Sequence, residues 1–188
     1  MNINRQRQEI SVKIVYYGPP FAGKTTNLER LFATTNPARR SDLTSMKNSE
    51  DRTLFFDFLQ IELGKIGGLT PRFNLYTVPG QVMYEATRQI VLRGADVVVF
   101  VADSSAAKLR ENLYAWRQLH QQLGELRVDP RRFPIIVQLN KRDMPDALPI
   151  PDLQRMLPIN GQVCLEAQAI HDVGTRETLK AAIKAVLG

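Results

Sequence analysis

The segment Ala95–Ala102 (ADVVVFVA) contains the longest unbroken apolar run of this 188-residue chain, Val97–Ala102, and Pro134–Leu139 (PIIVQL) is nearly as apolar. A strand with one wet face alternates apolar and polar residues. A short run without alternation belongs to a strand covered on both faces, which is the habit of parallel sheets flanked by helices. The rest of the chain agrees. Ile10–Tyr17 reads as a strand, and Leu28, Leu31 and Phe32 recur at helical spacing over Thr25–Ala33. Leu54–Leu63 and Pro71–Val78 read as strands, and Gly67-Gly68 between them marks an antiparallel hairpin. Leu109, Leu113, Trp116, Leu119 and Leu123 form a helical stripe, Pro151–Leu157 reads as a short helix and Gln162–Leu165 as a short last strand, and Leu179, Ile183 and Leu187 line a final helix. Alternating strands and helices predict an α/β fold with a mostly parallel sheet and helices on both faces. Thr34–Arg52, polar and rich in Ser, Thr and Asn, reads as a long loop, of the kind that is functional or mobile in compact domains.

Between the first strand and the first helix lies Gly18-Pro19-Pro20-Phe21-Ala22-Gly23-Lys24-Thr25, which fits G-x-x-x-x-G-K-[ST]. Backbone amides of such a loop and the positive end of the following helix face phosphate groups. Gly18, Ala22, Gly23, Lys24, Thr25 and Thr26 are therefore candidate phosphate-binding residues, with Lys24 reaching the β- and γ-phosphates and the Thr25 hydroxyl ligating Mg²⁺. Pro19 and Pro20 have no N–H to donate, so the remaining amides must suffice.

Asn140-Lys141-Arg142-Asp143 follows the strand Pro134–Leu139, at the carboxyl end where open α/β sheets bind ligands. A carboxylate at Asp143 accepts N1–H and the 2-amino group of guanine. Adenine offers neither donor, and would strand a buried polar group. Asn140 would tie the base to the phosphate loop, and the stem of Lys141 would lie along the ring. After the last strand, Glu166-Ala167-Gln168 places the Ala167 N–H as a candidate for the guanine oxygen.

Thr77-Val78-Pro79-Gly80-Gln81 ends another strand. The Gly80 backbone can approach a γ-phosphate closely, and Gln81 is placed to orient an attacking water. Upstream, Asp51-Arg52-Thr53 closes the long polar loop. Thr53 is a second candidate Mg²⁺ ligand, and Arg52 is either an arginine finger supplied in cis or a solvated loop charge. Asp57, a charge among aromatics, stands open between the metal shell and solvent.

Composition removes several classes. Cys164 is the only cysteine and His120 and His171 the only histidines, which argues against a disulfide framework and a His/Cys metal site. No apolar stretch approaches the ~20 residues of a membrane span. Arg5 and Arg7 precede no apolar segment, and neither end carries a lipidation motif, so a cytoplasmic location without integral membrane association is expected. The net charge of +6 invites a nucleic-acid reading, but aromatic interleaving and any known nucleic-acid module are missing, and no nucleic-acid partner is expected.

GPPFAGKTTNL, DRTLFFDFL, LYTVPGQV and NKRD together resemble the bacterial MglA-type small Ras-like GTPases, named for mutual gliding, from about Val12 to the C-terminal helix. The resemblance implies a Ras-like P-loop fold with a six-stranded sheet and a single small GTPase domain over residues 1–188. It also implies GTP and GDP states that differ over Asp42–Asp57 and Gly80–Arg93, and recruitment to a cell pole together with polarity or motility effectors. An MglB-like Roadblock homodimer would act as activator by positioning Arg52 and Gln81 as catalytic residues. Thr77 stands where typical Ras-like proteins have a Mg²⁺-holding aspartate, as it does in the MglA type. Pro20 and Phe21 depart from the family pattern, which usually has glycine at the position of Pro20. A GTP-binding scaffold with negligible hydrolysis and an ATP-using P-loop enzyme are the competing readings. Asp143 argues against the second.

Overall fold

The computed structural model describes residues 1–46, 56–79, 85–159 and 161–188. Strand β1 is Asn2–Asn4 and β2 is Glu9–Tyr17, followed by helix α1 (Lys24–Thr34). Then come β3 (Thr44–Met46), β4 (Phe56–Glu62), β5 (Thr70–Thr77), α2 (Glu85–Leu92) and β6 (Val97–Asp103). The chain closes with α3 (Leu109–Glu125), β7 (Ile135–Asn140), α4 (Ile150–Met156), β8 (Val163–Glu166) and α5 (Thr175–Leu187). The strands among the described residues join one sheet in the order β3-β4-β5-β2-β6-β7-β8, with β1 added beside the start of β2. The pairs β5–β2, β2–β6, β6–β7 and β7–β8 are parallel; β1–β2, β3–β4 and β4–β5 are antiparallel.

The mostly parallel sheet and the Gly67-Gly68 hairpin agree with the sequence reading. The strand number does not: eight strands are present among the described residues, not six. The additions are β1 and β3, each three residues long. Both are too short to show a period of two, and β3 falls inside the stretch read as loop, beside a 3-10 turn at Pro37–Arg39. Helix α2 also carried no clear signal, because its buried side includes the polar residues Thr87 and Arg88.

Every residue of β6 and β7 is buried, as their unbroken apolar runs require. Two cores lie on opposite faces of the sheet. One packs Val98, Phe100 and Val137 against Val91, Trp116, Leu119 and Leu153 of α2, α3 and α4. The other packs Ile14, Val99 and Ile136 against Leu28 and Leu31 of α1 and Leu179 and Ala182 of α5. The carboxyl ends of β2, β6 and β7 converge at one edge, where the loops holding the candidate residues begin.

Candidate nucleotide-binding site

The turn from β2 into α1 needs glycine at both ends. Gly18 (φ +144°) and Gly23 (φ +102°) lie in the left-handed region, and a Cβ would collide with the Val101 carbonyl at Gly18 and with the Asn140 side-chain amide at Gly23. Lys24 opens α1 and is only 7% exposed. Its Nζ donates to the carbonyls of Gly18 (3.0 Å) and Pro19 (2.7 Å). Burial lowers its pKa from 10.5 to about 7. The Arg88 guanidinium pushes the same way, and Asp57 opposes both.

Asp57 is the centre of a hydroxyl cluster. Thr25 Oγ1 donates to its Oδ2 (2.6 Å), Ser45 Oγ to its Oδ1 (2.8 Å), and Thr77 Oγ1 to its Oδ2 (2.9 Å). The backbone N–H of Asp57 in turn donates to Thr77 Oγ1 at 2.8 Å. The β4–β5 register explains the pairing: Phe58 faces Tyr76, so Asp57 comes opposite Thr77, and both lie equally far from Gly67. The carboxylate that Thr77 lacks thus arrives from the neighbouring strand. Asp57 is therefore turned toward Thr25, Ser45 and Thr77. Hairpin counting about Gly67-Gly68 holds the signal that would have found it.

On β7, Asn140 is 2% exposed. Its Nδ2 donates to the Ala22 carbonyl (2.8 Å), and its Oδ1 accepts from the Ala169 N–H (2.9 Å). Lys141 sits at φ +63° with Nζ 2.7 Å from the buried Asp103 carboxylate. Asp143 Oδ2 lies 3.9 Å from His171 Nε2. A cavity of about 210 Å³ is lined by Phe21, Gly23, Thr26, Asn140, Lys141, Asp143, Met144, Ala169 and Ile170. A second, of about 280 Å³, is lined by Phe21, Gly23, Lys24, Thr25 and Thr26. Their shared residues make them two lobes of one groove, one at the Asn140–Asp143 box and one at the phosphate loop. Phe21 stands between the lobes at φ +60°, with 80% of its surface exposed.

The candidate Ala167 does not fit its expected role. Its N–H donates to the Leu139 carbonyl at 2.9 Å, extending the β7–β8 ladder, and it does not line the groove. Ala169 lines the groove instead, with its own N–H donated to Asn140 Oδ1. Strand β8 ends at Glu166, and the chain continues for two residues before turning into the groove through a 3-10 turn at Ala169–His171. Arg52, Thr53, Gly80 and Gln81 lie outside the described residues.

A phosphate loop on the first long strand, with an N-K-x-D box on a parallel strand two positions across the sheet, defines a P-loop protein of the Ras-like small GTPase class. The family model described as the ADP-ribosylation factor family matches residues 2–186. The chain is 44% identical over 185 residues to the mutual gliding-motility protein MglA of Myxococcus xanthus (strain DK1622), covering 98% of this chain and 95% of that protein. It is 27% identical over 139 residues to the Ras-related protein Rab-7a of Dictyostelium discoideum, covering 73% of this chain and 62% of the relative. The chain belongs to the ADP-ribosylation factor family of Ras-like small GTPases, and within it to the MglA type.

Proposed function

We propose that residues 1–188 form one GTPase domain, a GTP-hydrolysing switch that controls cell polarity or gliding and surface motility. The observation that carries its guanine specificity is the Asn140 side chain, held between the Ala22 carbonyl and the Ala169 N–H. It joins the phosphate lobe to the lobe containing Asp143, whose carboxylate accepts the two donors of the guanine edge. Ala22, Gly23 and Thr26 line or brace the groove, Gly18 keeps the loop close to β6, and Lys24 exchanges its two carbonyl partners for phosphate oxygens.

Mg²⁺ suits the donors at the phosphate lobe. The Thr25 hydroxyl is a hard oxygen ligand, and Asp57, which accepts from Thr25 and Thr77, adds the negative charge that the Thr77 position lacks. Thr25 and Thr53 would hold the ion directly and Asp57 would support it. When bound, the ion neutralises charge on the phosphate oxygens. Arg52 is assigned as the finger in cis, Gln81 as the water-orienting residue and Gly80 as the γ-phosphate amide. All three assignments rest on the sequence. Hydrolysis is slow alone and accelerated by an MglB-like Roadblock homodimer, and the GTP state recruits polarity or motility effectors at a cell pole from the cytoplasm.

The left-handed Phe21 beside Pro20, which lacks an N–H, favours a second reading, a GTP-binding scaffold with negligible turnover. Identifying the nucleotide that co-purifies, then measuring single-turnover phosphate release with and without a Roadblock-type protein, separates the two. Release that Gln81→Leu and Arg52→Ala both suppress supports the switch. No release under either condition sinks it.

A further inference from the structure

Beneath Asn140 lies a second polar link with the same connectivity. Gln138 precedes Asn140 by two residues on β7, so their side chains leave the same face of the strand. Asn27 of α1, Gln138 and Thr178 of α5 are all 0% exposed. Asn27 Nδ2 donates to Gln138 Oε1 (2.8 Å), and Gln138 Nε2 donates back to Asn27 Oδ1 (2.9 Å). The second N–H of Asn27 Nδ2 reaches the Gly23 carbonyl (2.9 Å), and the second of Gln138 Nε2 reaches Thr178 Oγ1 (2.9 Å). The Thr178 hydroxyl donates to the Gly174 carbonyl at 2.7 Å. Each side-chain amide N–H has a partner, and each side-chain oxygen accepts a bond.

A buried network of this kind is stiff, because breaking any bond strands a desolvated partner. It is also dispensable for packing, since an apolar pair of similar volume can replace two mutually bonded polar groups at little cost. Its three anchor points are informative. Gly23 ends the phosphate loop, Gln138 sits on the strand that carries the Asn140–Asp143 box, and Gly174 follows the turn that carries Ala169. Asn140 joins these same three segments one layer nearer the groove, through Ala22 and Ala169.

We infer that Asn27, Gln138 and Thr178 form a buried positioning clamp that holds the base lobe in register with the phosphate loop, and so sets both guanine selectivity and the lifetime of bound nucleotide. The inference rests on the reading that the groove binds a guanine nucleotide, and deepens it. None of the three residues lines the groove, so they act through Asn140 and Asp143.

The test is the full chain carrying Asn27→Leu and Gln138→Leu together. A fluorescent GDP is chased with unlabelled GDP to read release, and competition compares GDP with inosine diphosphate, which lacks the 2-amino donor for Asp143. The clamp predicts GDP release about tenfold faster, and a GDP-over-inosine-diphosphate preference reduced about fivefold, in a variant that melts within a few degrees of wild type. Wild-type release and preference overturn it. So does a lowered melting temperature with the preference unchanged, because a merely structural role weakens both ligands alike. If the double variant does not fold, Thr178→Val removes the outer bonds alone. Faster release with reduced preference supports the clamp, and wild-type values refute it. A wild-type chain that binds neither diphosphate refutes the guanine reading itself, a result separate from any behaviour of the variants.

Discussion

Raising the pH from 7 to 9 should weaken GDP binding by about fifty-fold, because binding requires Lys24 to regain a proton that its buried site sheds. In the nucleotide-free chain the Lys24 pKa is lowered to about 7, chiefly by burial. At pH 8 about nine-tenths of the side chain is then uncharged. Phosphate oxygens brought against Nζ favour the ammonium and lift the pKa well above that range. Because the bound state holds the proton more tightly, the Lys24 contribution to affinity is complete below about pH 7 and falls about tenfold per unit once the pH exceeds 7, or about 1.4 kcal/mol per unit. Folding stability without nucleotide runs the other way. The folded pKa of about 7 lies below the ordinary 10.5, so between these values the unfolded chain binds more protons and stability rises with pH. Titration calorimetry with GDP at pH 8, in two buffers of different ionisation enthalpy, reads the linkage directly. Uptake of about 0.9 proton per nucleotide is expected. Uptake below about 0.2 proton, with affinity flat from pH 7 to 9, would refute the argument that burial holds Lys24 neutral.

Three further outcomes follow from the site geometry. Asp57→Asn removes the charge that accepts from Thr25, Ser45 and Thr77, and should speed GTP release about tenfold in millimolar Mg²⁺ while leaving release in EDTA unchanged; an unaltered Mg²⁺ dependence counts against the role of Asp57. Asp143→Asn gives up two charge-assisted bonds worth about 1.5 kcal/mol each, so GDP should bind about a hundredfold more weakly while inorganic tripolyphosphate competes as before. Phe21→Gly relieves a left-handed side chain that packs little, and chemical denaturation of the nucleotide-free protein should show a gain of about 0.5–1 kcal/mol; a loss would show that Phe21 packs more than its exposure indicates.

Much of the site was legible because its chemistry is local. Gly18–Thr25 is continuous in sequence, so the glycines, lysine and threonine assigned above to one ligand fall within a single turn, and Asn140–Asp143 begins at the end of a strand buried along its whole length. Local patterning likewise determined the parallel core, since β6 and β7 can exist only with helices on both faces. What the sequence alone did not decide depends on partners distant along the chain. Asp57 meets Thr25 and Thr77 through the strand register, and Ala169 rather than Ala167 lines the groove because the β7–β8 ladder claims one more amide than the apolar pattern of β8 shows. The short strands β1 and β3 exist because existing edges offer them hydrogen bonds, not because their own residues favour extension. Asn27, Gln138 and Thr178 read along the chain as ordinary polar residues. Only the packing of α1, β7 and α5 buries all three together, where a polar group must find another, and so turns them into one connected unit.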